Sequence, residues 1–279
     1  MKEECNHKCA EYADECESRE KPFDFSIKLN EISRVKKVIG VISGKGGVGK
    51  SMVTSLLAAS LKRKGLQVGI LDADITGPSI PKMMGIKGRA GQSDFGILPQ
   101  KSLTGISVIS VNLLLEKETD PVVWRGPLIG KMVSQFWSEV VWDDLDVMLI
   151  DMPPGTGDVA LTVFQSLPVD GVVIVTSPQE LVSLIVSKSV KMAEMMNIKV
   201  LGIVENMSYF QCPECGKKYS PFGESHCDAI ALKFNIPLVA KLPLNPELAK
   251  LSDHGRIEFA DSSELSDLVH HIIQLEERK

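Results

Sequence analysis

Gly44-Lys45-Gly46-Gly47-Val48-Gly49-Lys50-Ser51 fits the pattern G-x-x-x-x-G-K-[ST]. Glycines at these positions let the backbone curl until successive N–H groups face one anion, and Lys50 carries an ammonium within reach of phosphate oxygens. Lys50 is expected to approach the β- and γ-phosphates of a nucleotide, and Ser51 to offer its hydroxyl to Mg²⁺. Carboxylates at two further places complete such chemistry. Asp72 and Asp74 stand in Leu71-Asp-Ala-Asp-Ile-Thr-Gly-Pro-Ser79, and Asp151 opens Asp151-Met-Pro-Pro-Gly-Thr-Gly-Asp158. One carboxylate beside the phosphates can orient or deprotonate an attacking water, and another can hold Mg²⁺ through its hydration shell. Either cluster alone would read as an Asp-rich turn; their positions after separate strands favour chemistry.

Cys212-Pro-Glu-Cys215, followed by Gly216, sets two thiols at a spacing that grips a soft metal centre. A redox pair belongs near the start of a βαβ unit, usually at a helix N-terminus, which is not this setting. A zinc knuckle remains open, because Cys-Pro-x-Cys-Gly also begins zinc ribbons and Cys227 or His226 could add ligands. A [4Fe–4S] cluster takes four thiolates, which two copies of this pair would supply across a dimer. Cys5, Cys9 and Cys16 form a separate group near the start, with His7 among them.

The elements that must position these residues follow from periodicity. Val38 to Ser43 is a short β-branched run ending in the glycine turn, which predicts a buried parallel strand. Ser51 to Lys64 then carries apolar residues at helical spacing and stops at Gly65. Further runs at Val68 to Leu71, Ile106 to Val111, Val147 to Ile150, Val172 to Val175, Val200 to Val204 and Leu238 to Leu242 are separated by segments of helical length. Glu264 to Glu277 reads as a closing helix. This alternation predicts an α/β fold with a mostly parallel sheet flanked by helices on both faces, and ligands beyond the carboxyl ends of the strands. Gly85 to Gly105 is expected to be a surface excursion or a small hairpin.

Across 279 residues there are 31 basic and 36 acidic side chains, a formal charge of −5, with 44% hydrophobic residues. These are globular values, so disorder, collagen and coiled-coil classes are excluded. Without a basic block, nucleic acid is not an expected partner. No run reaches the ~18 apolar residues of a membrane span, so no membrane partner is expected. Met1 to Lys21 is charged and Cys-bearing where a signal peptide needs an apolar run, so a cytoplasmic protein with reduced thiols is expected. Residues 1–30 are polar and read as an appendage, and 31–279 as one P-loop ATPase domain.

Lys45, close behind the first glycine, resembles the signature lysine of the deviant Walker A superfamily, which includes the nitrogenase iron protein and the MinD and ParA ATPases. There this lysine approaches phosphates across a dimer interface, which implies a nucleotide-sandwich homodimer here. The loop, Asp72 to Ser79, Trp124-Arg-Gly-Pro127, Asp151 to Asp158, and Asn206-Met207 ahead of Cys212-x-x-Cys215 together resemble the Mrp/ApbC family of iron–sulfur cluster carrier ATPases, over about Val35 to Ile273. The resemblance implies ATP held by Gly44 to Met52, with Asn206 at the adenine. It also implies Asp74 as the water-positioning residue, Asp72 nearer the hydration shell of Mg²⁺, and Asp151 as its Walker B carboxylate. Beyond the nucleotide it implies a [4Fe–4S] cluster at Cys212 and Cys215 that is passed to apo iron–sulfur proteins, with Zn²⁺ as a substitute in aerobic material. From the residues alone, the Asn206 amide could meet a purine edge or simply sit in a turn after its strand.

Two other functions compete. A MinD/ParA-like positioning ATPase would act through a DNA surface or a basic amphipathic membrane helix, whereas this chain ends in the mixed charges Glu276-Glu-Arg-Lys279. A zinc-stabilised nucleotide-binding adaptor would use the same thiols without turnover.

Overall fold

The β-branched runs become strands that are buried on both faces, as a parallel sheet covered by two helical layers requires. The computed structural model describes residues 27–74, 77, 79–115, 126–155, 157–178 and 182–277. Cys5, Cys9, Cys16 and His7, Trp124 and Arg125, and parts of the two Asp-rich strings lie outside the described residues.

The parallel strands are β1 (Arg34–Ser43), β2 (Val68–Asp72), β6 (Ser107–Ile109), β7 (Asp144–Asp151), β8 (Gly171–Thr176), β9 (Val200–Gln211) and β11 (Val239–Pro243). Within the parallel sheet their order is β11, β9, β8, β1, β7, β2, β6. Two short antiparallel strands extend it, β5 (Gln100–Lys101) beside β6 and β10 (Lys218–Tyr219) beside the far end of β9. The glycine-rich stretch contains the expected hairpin, β3 (Gly91–Ser93) with β4 (Gly96–Leu98).

Alternate residues of β1 feed two cores. Val38 and Ile42 pack under α3 (Gly126–Glu139), α4 (Asp158–Ser166), α5 (Val182–Met195) and α6 (Cys227–Lys233). Ile39 and Val41 pack under α1 (Lys50–Arg63), α2 (Ile80–Met83), α7 (Pro246–Asp253) and α8 (Ser266–Gln274). The central place of β1 between β7 and β8 brings the turn after Ser43 and the turn after Asp151 to one sheet edge. That edge is where a doubly wound sheet holds its ligand.

Three details differ from the expectations. Strand β9 runs on to Gln211 instead of stopping at Val204, because β11 pairs with it as far as Tyr209 and β10 pairs beyond. The closing helix is shorter, with a 3₁₀ turn at Ser263–Leu265 and α8 ending at Gln274, where Lys37 of β1 donates to the Ile273 carbonyl. Ile27 and Leu29, placed in the appendage by composition, pack against the core, and the Ile27 carbonyl accepts from Trp137 Nε1 at 2.9 Å.

Candidate functional site

Strand β1 delivers Gly44 at its end, and α1 begins at Lys50 with Gly49 as its N-cap and no side chain closing that end. The first N–H groups of α1 are therefore open to a ligand, and no acidic residue in the first turn opposes an anion. Gly47 and Gly49 have φ of +78° and +83°, in the left-handed region that side chains avoid. A Cβ on Gly49 would also run into Asn206 Nδ2. Both strain and crowding thus fix glycine at position 49.

Around the loop lies a cavity of about 290 Å³, lined by Gly46 to Met52 together with Ser43, Asp74, Gly77, Ser79, Met83 and Pro154. That volume is at the lower limit of ~300–1,000 Å³ for small-molecule sites, the size of a polyphosphate pocket more than of a whole nucleotide. A larger cleft of about 500 Å³ lies around Arg63, Lys64 and Ser262. It sits at the other end of α1, about 20 Å from Lys50 at ~1.5 Å per residue, and holds none of the motif residues.

Lys50 is almost fully buried, with Nζ 2.8 Å from Asp151 Oδ2 and 3.5 Å from Asp74 Oδ2. Ser51 Oγ donates to the same Asp151 oxygen at 2.5 Å. Thr54 Oγ1 donates to Asp151 Oδ1 at 2.8 Å, so both oxygens of this buried carboxylate are held. Thr54 was not singled out from the sequence; its one sign there is its place one turn after Lys50 on the same helix face. Asp72 is buried, accepts the Asp74 N–H at Oδ1 (3.2 Å) and leaves Oδ2 without a partner. Burial first, and then the charge of Asp151, push its carboxyl well above the usual range, while Lys50 pulls the other way.

These groups suit Mg²⁺, a hard cation that takes oxygen ligands and one or two carboxylates. Ser51 and Asp151 supply a hydroxyl and a carboxylate side by side, and Asp72 has an unused oxygen behind them. The Lys50 ammonium provides the positive charge that Asp151 faces here. Lys45 is half-buried at the start of the loop.

Asn206 lies inside β9 and not in a turn after it. Its amide is buried, and Nδ2 donates to the Val48 carbonyl at 2.9 Å, bracing the loop from below. Its Oδ1 has no partner, and Asn206 is not among the residues lining the cavity. Met207 follows at φ +57°, a local break in the strand.

Beyond that break β9 carries the thiol pair to an exposed hairpin. Cys212 N donates to Lys217 O (3.0 Å) and Gly216 N to Cys212 O (2.9 Å), with Gly216 at φ +69° making the turn. The N–H groups of Cys215 and Glu214 point at the Cys212 sulfur and, with the Cys215 thiol, lower its pKa below that of a free thiol. Thiolate is the metal-binding form, so this turn is prepared for metal. Cys227, considered above as a further ligand, is instead buried in α6. Burial and the Glu205 carboxylate beside it push its thiol far up, which keeps it protonated. Among the described residues no three His, Cys, Asp or Glu groups gather into a metal site. Cys212 and Cys215 therefore form an incomplete set of ligands among the described residues.

The ParA family of NUBPL iron-transfer P-loop NTPases matches this chain over residues 34–275. A curated relative from Clostridium perfringens, named an iron-sulfur cluster carrier protein, is 48% identical over 232 residues, spanning 80% of this chain and 81% of its own. Another of that name, from Methanocaldococcus jannaschii, is 44% identical over 264 residues, 92% of this chain and 90% of its own. The solved nucleotide-binding protein of Archaeoglobus fulgidus, in complex with ADP, superposes with a TM-score of 0.76 at 45% identity, over 83% of this chain and 91% of that one. The cell-division ATPase MinD of Pyrococcus furiosus shares the fold at 18% identity and a TM-score of 0.57, over 85% and 97%. With the family model spanning residues 34–275 and relatives of 44–48% identity covered over most of their length, the chain belongs to the ParA family of P-loop NTPases, in its NUBPL iron-transfer group.

Proposed function

We propose that this chain is an ATP-dependent iron–sulfur cluster carrier that works as a homodimer in the cytoplasm, binding a [4Fe–4S] cluster between the Cys212–Cys215 pairs of two copies. The observation that carries the reading is the thiol pair, incomplete among the described residues, in the turn that directly follows the strand whose Asn206 braces the phosphate loop. Four thiolates are needed for the cluster, one copy offers two, and no other group among the described residues completes them. The names of the relatives point to the same cargo. The likeness to MinD, at 18% identity, adds nothing for a positioning ATPase.

In this reading the amides of Gly46 to Ser51 and the Lys50 ammonium hold the phosphates of ATP, and Asn206 serves the adenine side. Ser51, Asp151 and Asp72 would hold Mg²⁺, which would neutralise charge on the phosphates. Asp74 orients and deprotonates the attacking water, and Lys45 reaches the phosphates of the partner copy. Closing two copies around nucleotide brings the two thiol pairs together, and apo iron–sulfur proteins receive the cluster.

Two measurements test this. Asp74→Asn should bind ATP normally and lose turnover by about 10²–10⁴-fold, since an amide cannot take the proton of the water; phosphate release at the normal rate would remove Asp74 from the mechanism. Anaerobic reconstitution with iron and sulfide should then give a [4Fe–4S] spectrum that moves to an added apo-protein. Zinc as the one bound metal, with no such spectrum, would favour the adaptor instead.

A further inference from the structure

Six buried side-chain oxygens among the described residues have no hydrogen-bond partner, and of these only Ser43 Oγ belongs to a residue that lines the phosphate cavity. Ser43 is the last residue of β1, 1% exposed, on the α1 side of the sheet. Its carbonyl accepts the Gly155 N–H at 2.8 Å, so its backbone joins the phosphate loop to the turn that follows Asp151. Ser43 shares the lining of the cavity with Asp74 and Pro154, which come from the other two loops at this edge. A hydroxyl buried without a partner is destabilising, and such atoms are rare enough to call for a missing partner.

The chemistry of the cavity identifies that partner. The loop amides and the Lys50 ammonium are donors and can accept nothing from a hydroxyl, and the one carboxylate on the cavity lining, that of Asp74, faces Lys50 Nζ at 3.5 Å. A polyphosphate brings acceptor oxygens into the same space. Since Ser43 stands where the phosphate loop meets the Asp151–Gly155 turn, the group both segments would enclose is the terminal phosphoryl group. We propose that Ser43 is a further catalytic residue, whose hydroxyl donates to a γ-phosphoryl oxygen and gains strength as charge builds there during attack by water. The serine keeps its proton throughout; water supplies the new oxygen–phosphorus bond, and the bond from the γ-phosphorus to the β-bridging oxygen breaks. This rests on the assignment of the cavity to ATP.

The test compares Ser43→Ala with the full-length wild type, measuring ATP turnover at saturating Mg·ATP and ADP affinity by direct titration. Removal of one preorganised donor at developing charge costs up to about 10²–10³-fold in rate, so a fall of at least about tenfold in kcat is expected. ADP has no γ-phosphate, and its affinity should stay within about threefold of wild type. The loss of one oxygen leaves a small side chain that fits β1, so the variant should fold. Turnover within about twofold of wild type would overturn the proposal. So would a parallel loss of ADP affinity, which would mean that Ser43 shapes the loop instead of touching the γ-phosphate. A wild type that hydrolyses no ATP would defeat the functional reading itself, separately from Ser43.

Discussion

Lys50→Ala is expected to lose nucleotide binding, with an affinity at least about 100-fold weaker for both ATP and ADP. Charge-assisted hydrogen bonds contribute about 1.5–3 kcal/mol each, and the ammonium sits where it can reach more than one phosphoryl oxygen. The carboxylates make the loss larger. Asp74 and Asp151 lie within 3.5 Å and 2.8 Å of Nζ, and Asp72 feels the charges of both Asp151 and Lys50, so without the lysine an incoming polyanion would meet the loop amides beside uncompensated acidic groups. Removing one partner of a buried ion pair also costs about 3–5 kcal/mol of stability, so circular dichroism must show the variant folded before a titration is read. Normal affinity in a folded Lys50→Ala protein would defeat the phosphate-loop assignment.

The second large effect concerns the thiols. Reconstituted wild type should approach four irons and four sulfides per dimer. Cys212→Ser or Cys215→Ser should abolish the cluster while ATP still binds, because the contact from this strand to the phosphate loop is made by Asn206, ahead of the hairpin. The lowered pKa of Cys212 sets a direction for pH. Its thiolate forms at lower pH than an ordinary thiol does, so metal binding through Cys212 should persist on the acid side of the usual thiol range. A cluster that survives replacement of both cysteines would place the metal elsewhere.

Much of this site could be read in advance because its core is local in sequence. β1, the glycine turn and α1 follow one another within Arg34–Arg63, and the change from strand to helical period needs no distant residue. What could not be read depends on partners brought from afar. The apolar run ends at Val204, yet β9 continues because β11 lies alongside it to Tyr209, and that pairing turns Asn206 from a loop residue into a strut under Val48. Thr54 looks like a neutral helix residue until Asp151, 97 positions later, arrives beside it. Cys227 has the spacing of a ligand, but packing, which spacing cannot show, places it in the core beneath α5. Ser43 likewise gives no sign in the sequence, since what marks it is a buried hydroxyl that the surrounding packing leaves without a partner.

The hairpin that holds Cys212 and Cys215 is closed by a strand of two residues, Lys218 and Tyr219, and by the Cys212 to Lys217 bond. Ile203 and Val204, on the same strand, are enclosed between β8 and β11. In terms of hydrogen exchange the two stretches belong to different cooperative units, one opening at low free energy and the other only with the sheet. Amides around Cys212 and Gly216 should therefore exchange quickly without metal and slow sharply once it binds, while those of Ile203 and Val204 barely respond. In the proposed function, cargo is gained and surrendered at the expense of a single turn, and without it this hairpin is open to proteases and oxidants.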